Sequence, residues 1–165
     1  MPSKRHRHGL LLVLVLAAVR FDANVHAQTS PRSFVLVVNR NNPVETVTAA
    51  QLRNMVFAAQ TKWASGRRAT VVLLDSGSIE RRLFAWACCR LSPAEFDKAL
   101  LQSVFVGETV GGPKVVSSAT AVKKFVFNVP GAIGVIDAAD VDDTVRAITL
   151  DGHRPGDAGY LLVHK

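Results

Sequence analysis

Cysteine, histidine, aromatic residues and long apolar runs are all scarce in this chain, and each scarcity removes a class of function. The only two cysteines, Cys88 and Cys89, are adjacent. Neighbours in one helix point about 100° apart and do not meet disulfide geometry. Two free thiols are therefore expected, Cys88 buried and Cys89 more exposed, and a disulfide-stapled scaffold is excluded. Beyond residue 27 the only histidines are His153 and His164, which with two thiols make no metal constellation of the usual spacing. His153 falls in the turn "DGHRPGD" and reads as a surface histidine. No Gly-x-Ser-x-Gly elbow, P-loop or paired catalytic carboxylates are present, so neither an enzyme nor a cofactor is expected. Aromatics make up 7% of the chain and do not interleave with the scattered basic residues, which argues against nucleic acid as a partner. Asp137, Asp140, Asp142 and Asp143 cluster without EF-hand spacing and read as solvated turn acids. Trp63 and Trp86 read as packing residues rather than ligand stackers.

The one long apolar run is "LLLVLVLAAV", Leu10 to Val19. Its ten residues fall well short of the roughly 20 that cross a bilayer. A basic leader, "MPSKRHRHG", precedes it, and "VHA" (Val25 to Ala27) comes after it as a signal-peptidase site. The pattern predicts a signal peptide over residues 1–27, a mature N-terminus at Gln28 and a single domain over 28–165. A periplasmic location is expected, with no membrane insertion after cleavage. Lys4, Arg5, Arg7 and Arg20 against Asp22 account for three of the seven net positive charges. The remaining four make the exported part mildly basic, compatible with an anionic ligand.

The rest of the chain alternates strand and helix. "SFVLVVN" (Ser33 to Asn39) is β-branched and apolar, a buried strand. "TAAQL" (Thr48 to Leu52) is a capping box that opens a helix to about Phe57. "ATVVLL" (Ala69 to Leu74) is a strand, and "SGSIERRLF" begins a helix expected to run to about Arg90. On its wheel Ile79, Leu83, Ala87 and Leu91, with Phe84 and Cys88, form the apolar stripe, while Arg82, Ala85 and Cys89 face away. "SPAE" (Ser92 to Glu95) caps a helix to about Val104, "GETVGGPK" is a loop, and "SSATAVKKFVFN" (Ser117 to Asn128) is a capped amphipathic helix. "PGAIGVI" feeds a short strand, Ala132 to Ile136, and "VRAITLDG" (Val145 to Gly152) is the last one. This order predicts one α/β domain with a mainly parallel sheet flanked by helices.

In this order the motifs carry a resemblance. The strand "VLVVN", then "T-x-x-Q-L-x-x-x-V-F", "W-x-x-G", a strand, "S-G-S", "F-V-G" and "P-G-A-I-G-V-I" resemble the phosphate-binding periplasmic proteins of ABC importers. The chain is more similar still to the short, single-lobe proteins grouped with them, over roughly Phe34 to Tyr160. The resemblance implies one lobe of a type II periplasmic-binding-protein-like fold, and a Ser-Gly-Thr-like phosphate turn at Ser76, Gly77 and Ser78. The chain departs from the family's pattern just before that turn. The arginine and aspartate expected there fall at Val72 and Leu74, Asp75 is one place out of register, and a family glycine is Ala59.

Physically the turn has two readings. A helix N-terminus exposes unpaired N–H groups and about half a positive charge, so Ser76, Gly77 and Ser78 make an anion cradle with Arg81 and Arg82 flanking it. Equally, Ser78 caps the helix, Gly77 turns the chain and the arginines are solvated. About three charge-assisted bonds set against the cost of association leave roughly millimolar affinity for phosphate or another oxyanion. Two functions are compatible with the turn: an exported protein with weak or vestigial anion binding, or an envelope module that keeps the fold and binds a protein partner.

Overall fold

The computed structural model describes residues 31–57, 60–105 and 112–164. The expected signal peptide, Gln28, Ala59 and most of the "GETVGGPK" loop lie outside the described residues. The elements are β1 (Arg32–Asn39), β2 (Thr46–Val47), α1 (Ala49–Val56), β3 (Thr70–Leu74), α2 (Ile79–Phe84), α3 (Pro93–Phe105), β4 (Lys114–Val116), α4 (Ala119–Asn128), β5 (Ala132–Asp137), β6 (Val145–Leu150) and β7 (Val163–His164). A π-helical turn, Ala85–Cys89, continues α2, and a 3-10 turn, Ala138–Asp140, succeeds β5.

The strands form one seven-stranded sheet in the order β2-β6-β1-β5-β3-β4, with β7 pairing the start of β1. The α/β expectation stands, but the sheet is mixed rather than mainly parallel. β3 lies parallel to β4 and β5, whereas β1 runs antiparallel to both of its long neighbours, β5 and β6. The apolar run of β1 fits either direction, because burial on both faces rather than strand sense dictates its composition. The short strands β2, β4 and β7 were not foreseen; each has two or three residues and no apolar run of its own.

Successive side chains of a strand point to opposite faces. Phe34, Leu36, Val38, Val71, Leu73, Ile133 and Val135 pack on one face against Leu52, Val56, Phe84 and Phe96 of α1–α3. Val35, Val37, Val72, Leu74 and Ile136 pack on the other face against Val122 and Val126 of α4. Gly134 lets α4 come close: a Cβ there would lie 2.5 Å from Val122 Cγ1. Trp63 is buried, and its Nε1–H donates to the Gly131 carbonyl at 2.9 Å, fixing the chain before β3 to the turn before β5.

The expected caps form. Thr48 and Gln51 make the reciprocal capping box of α1, Glu95 returns to the Ser92 N–H before α3, and Ser118 caps α4. The helix from Ser78 does not stay α-helical to Arg90. After Phe84 it widens into the π turn and stops at Arg90 in the left-handed region, φ 57°. Ala85, the first residue of that turn and expected outside, is fully buried, because the buried face is centred on Phe84 and Cys88 rather than on the half-buried Ile79 and Leu83; Trp86 lies outward under the Arg90 guanidinium, 5.2 Å from the ring centre. Cys88 is buried and Cys89 half-buried, and both are reduced.

Candidate functional site

The site is built where β3 leaves the sheet. Val71 to Leu74 are buried, and the chain then turns through exposed Asp75, Ser76 and Gly77. The Ser78 N–H donates to the Asp75 carbonyl at 2.9 Å, and Ser78 Oγ accepts the Arg81 N–H at 3.1 Å. Ser78 is thus the cap of α2. Capping uses that hydroxyl and the Arg81 N–H, while the N–H groups of Ile79 and Glu80 have no partner within the helix. Gly77 has an ordinary negative-φ backbone, and a Cβ placed on it meets nothing within 4 Å. Neither chain geometry nor crowding inside the fold requires glycine here.

The two arginines part company. The Arg81 side chain is only 10% exposed; its Nε and one terminal nitrogen bind Asp97 Oδ1 at 3.2 and 2.6 Å. Its other nitrogen donates to the Leu74 carbonyl at 3.2 Å, and the guanidinium lies 5.7 Å from the Phe96 ring centre. Arg81 therefore ties α2 to α3 and to the end of β3. Arg82 is exposed.

A second turn, not singled out in the sequence, lies beside the first. β3 and β4 pair in parallel with Leu74 opposite Val116, so Ser76 and Ser118 each stand two residues beyond a paired position. Ser118 Oγ accepts the Ala121 N–H at 3.1 Å and caps the ten-residue α4. From these adjacent strand ends α2 departs to one face of the sheet and α4 to the other. Divergence of this kind opens a crevice at the carboxyl edge of an α/β sheet, the usual place for a ligand. The signal available in the sequence was the repetition of strand, serine and helix at "LLDSGS" and "VVSS", but only the pairing of β3 with β4 sets the two side by side.

β5 runs parallel to β3, so its end reaches the same edge. There Arg32 binds Asp137 at 2.6 Å. The bond to Asp137 holds the Arg32 guanidinium above its usual range, with Glu80 adding to the same field. The Ala139 N–H, and after it Arg32, keep the Asp137 carboxyl below its usual range. Val72 and Leu74, where the family resemblance placed charged residues, are buried against the α4 side of the sheet. The turn itself is open. Cavities of about 390 and 410 Å³ lie elsewhere, beside Val44, Gln51 and Trp63 and beside Arg146, Thr149 and Arg154. Among the described residues no cluster of three or more His, Cys, Asp or Glu side chains forms a metal site. Within the same residues no helix is long and apolar enough to cross a membrane.

No family model matches the chain. Its fold is similar to that of an ABC-type phosphate transport receptor from Vibrio cholerae, with 23% identity and a TM-score of 0.64, covering 81% of this chain and 54% of that one. It is also similar to a structure from Clostridium perfringens described as a phosphate ABC transporter substrate-binding protein with bound phosphate, at 21% identity and a TM-score of 0.65, covering 81% of this chain and 53% of that one. PstS from Borrelia burgdorferi matches at 13% identity and a TM-score of 0.57, over 82% of this chain and 55% of its own. The fold therefore resembles that of phosphate-transport substrate-binding proteins, which are solute-binding proteins rather than enzymes. The chain spans about half the length of these proteins, in keeping with a single lobe.

Proposed function

We propose that the chain is an exported, single-lobe oxyanion-binding protein whose weak site is the crevice between the β3–α2 and β4–α4 turns. Residues 1–27 act as its cleavable leader and 28–165 as its periplasmic domain. The observation that carries the reading is the pair of serine-capped helix N-termini on adjacent parallel strands, departing to opposite faces. Ser76, Gly77 and Ser78 supply one rim and Ser117 and Ser118 the other. Backbone N–H groups of Ile79, Glu80, Ala119 and Thr120 donate from within. Arg82, rather than the engaged Arg81, supplies mobile positive charge. Gly77 keeps the rim open, since nothing else in the fold calls for glycine there. Phosphate is the favoured ligand because a structure of similar fold holds it. From the donors of this lobe alone, the expected affinity is about 1 mM.

A ligand bound only by the folded state raises stability by RT ln(1 + [L]/Kd), about 1.4 kcal/mol at tenfold excess over Kd. Thermal melts in phosphate, in sulfate and in chloride of matched ionic strength separate binding from salting-out and screening. Phosphate is expected to raise Tm by several degrees over chloride, with the response weakened in Arg82→Ala and lost in Gly77→Val. If the wild type and both variants respond identically, the turn is a helix cap alone. The chain is then better read as an envelope interaction module that keeps the fold without a ligand.

A further inference from the structure

The two adjacent cysteines close the π turn with their sulfurs side by side. Cys88 Sγ and Cys89 Sγ are 3.2 Å apart, and Cys88 Sγ also donates to the Phe84 carbonyl at 2.9 Å. Cys88 is 6% exposed and Cys89 half-buried, so the pair opens to solvent on the Cys89 side.

The span of the pair discriminates among thiol chemistries. A disulfide needs sulfurs at about 2.05 Å on Cα atoms usually at least 4.4 Å apart. Consecutive Cα atoms are fixed at about 3.8 Å, so oxidation strains or unwinds the turn. With thiolate bonds of about 2.3 Å, a tetrahedral centre wants sulfurs about 3.8 Å apart and a linear one about 4.6 Å. At 3.2 Å the same bonds meet at about 90°. That is the angle of a three-coordinate pyramidal centre bearing a lone pair. We infer that Cys88 and Cys89 form a chelating site for a trivalent arsenical, the arsenic bridging both sulfurs and its third substituent pointing outward past Cys89.

The reaction needs no oxidant. Two As–S bonds form, the arsenic–oxygen bonding of an arsine oxide breaks, and the two thiol protons leave with the oxygen as water. Arsenic stays trivalent throughout. Access sets the order of attack. Cys89 is half-buried and faces solvent, whereas Cys88 is 6% exposed. Cys89 adds first and Cys88 closes the ring. The site lies at the far end of the helical segment that begins at the oxyanion turn, and its test, read on the thiols, is independent of that reading.

The reduced full-length chain is titrated with phenylarsine oxide and followed by native mass spectrometry and thiol counting. The expected result is a 1:1 adduct that consumes both thiols, survives excess glutathione and is stripped by 2,3-dimercaptopropanol. Cys89→Ser, which changes one half-buried atom at the edge of the core and whose folding is checked by its melt, is expected to bind at least a hundredfold more weakly, about the factor a second tethered ligand supplies. Zinc at equal concentration is expected to protect the thiols less well. Any one of three results overturns the assignment: no adduct on the folded chain, equal affinity in Cys89→Ser, or better protection by zinc.

Discussion

Removing Arg81 tests whether that side chain serves the fold or an anion. Arg81→Ala deletes one bond to the Leu74 carbonyl, the paired contact with Asp97 and the stacking on Phe96. A hydrogen bond from a charged donor is worth about 1.5 kcal/mol at its lower end. The Asp97 contact is discounted to about 0.5–1 kcal/mol, because Asp97 is 40% exposed and screened. The ring contact adds about 0.5 kcal/mol. Against these, a cation near the start of α2 opposes the helix dipole, and its loss returns about 0.3–1 kcal/mol. The net loss is about 2 kcal/mol, a fall in Tm of roughly 4–8 °C for a chain of this size. Urea melts and calorimetry on Arg81→Ala, Arg82→Ala and Asp97→Asn provide the assay. Exposed Arg82 is expected to change stability by less than about 0.5 kcal/mol, and Asp97→Asn to fall between the two arginine variants. Equal, near-zero effects for both arginines would refute the assignment of Arg81 as a structural tie.

Tyr160 is the only tyrosine, it is buried, and its hydroxyl donates to the Phe34 carbonyl at 2.5 Å. Burial raises its pKa, so the unfolded chain gives up the phenolic proton first and stability falls as pH rises above about 10. Near-ultraviolet absorbance is expected to show tyrosinate only together with loss of helical circular dichroism; tyrosinate in the folded chain would contradict this. Gly134→Ala forces a methyl group against Val122 and is expected to cost about 1–3 kcal/mol in chemical denaturation, with part of the loss recovered by Val122→Ala. Asp142, bonded first to Lys123 and then to Thr144, is held at about 2. Its contribution to stability is present above the ordinary carboxylate value and lost as pH falls through about 2. In Lys123→Met, carboxyl NMR titration is expected to find this group closer to its ordinary value.

Much of this fold is written in local patterns. Runs such as "VLVVN" and "VVLL" bury both faces of a strand and read directly, as do the reciprocal caps at Thr48 and Ser92. Strand direction does not read, because a run buried on both sides, such as β1, has the same composition either way up. The break at Ala85 is equally silent: "AWACC" has no proline or glycine to mark a π turn. It becomes visible only in the backbone, where the Arg90 N–H reaches back five residues to the Ala85 carbonyl. At the candidate site the serine cap and the helix after it were legible. The engagement of Arg81 was not, since Asp97 lies sixteen residues on and across another helix. The neighbouring turn at Ser118 was recognised as a cap, but its place beside Ser76 depends on a three-residue strand too short to leave a signal.

Backbone N–H resonances in a phosphate titration test the crevice most directly, because they report on each donor separately. The N–H signals of Ile79 and Glu80 at α2 and of Ala119 and Thr120 at α4 are expected to move together. One dissociation constant of about 1 mM should describe them all, with little movement in matched chloride. Shifts confined to one turn, shifts centred instead on the groove at Arg146 and Arg154, or no shifts at tenfold excess would contradict it.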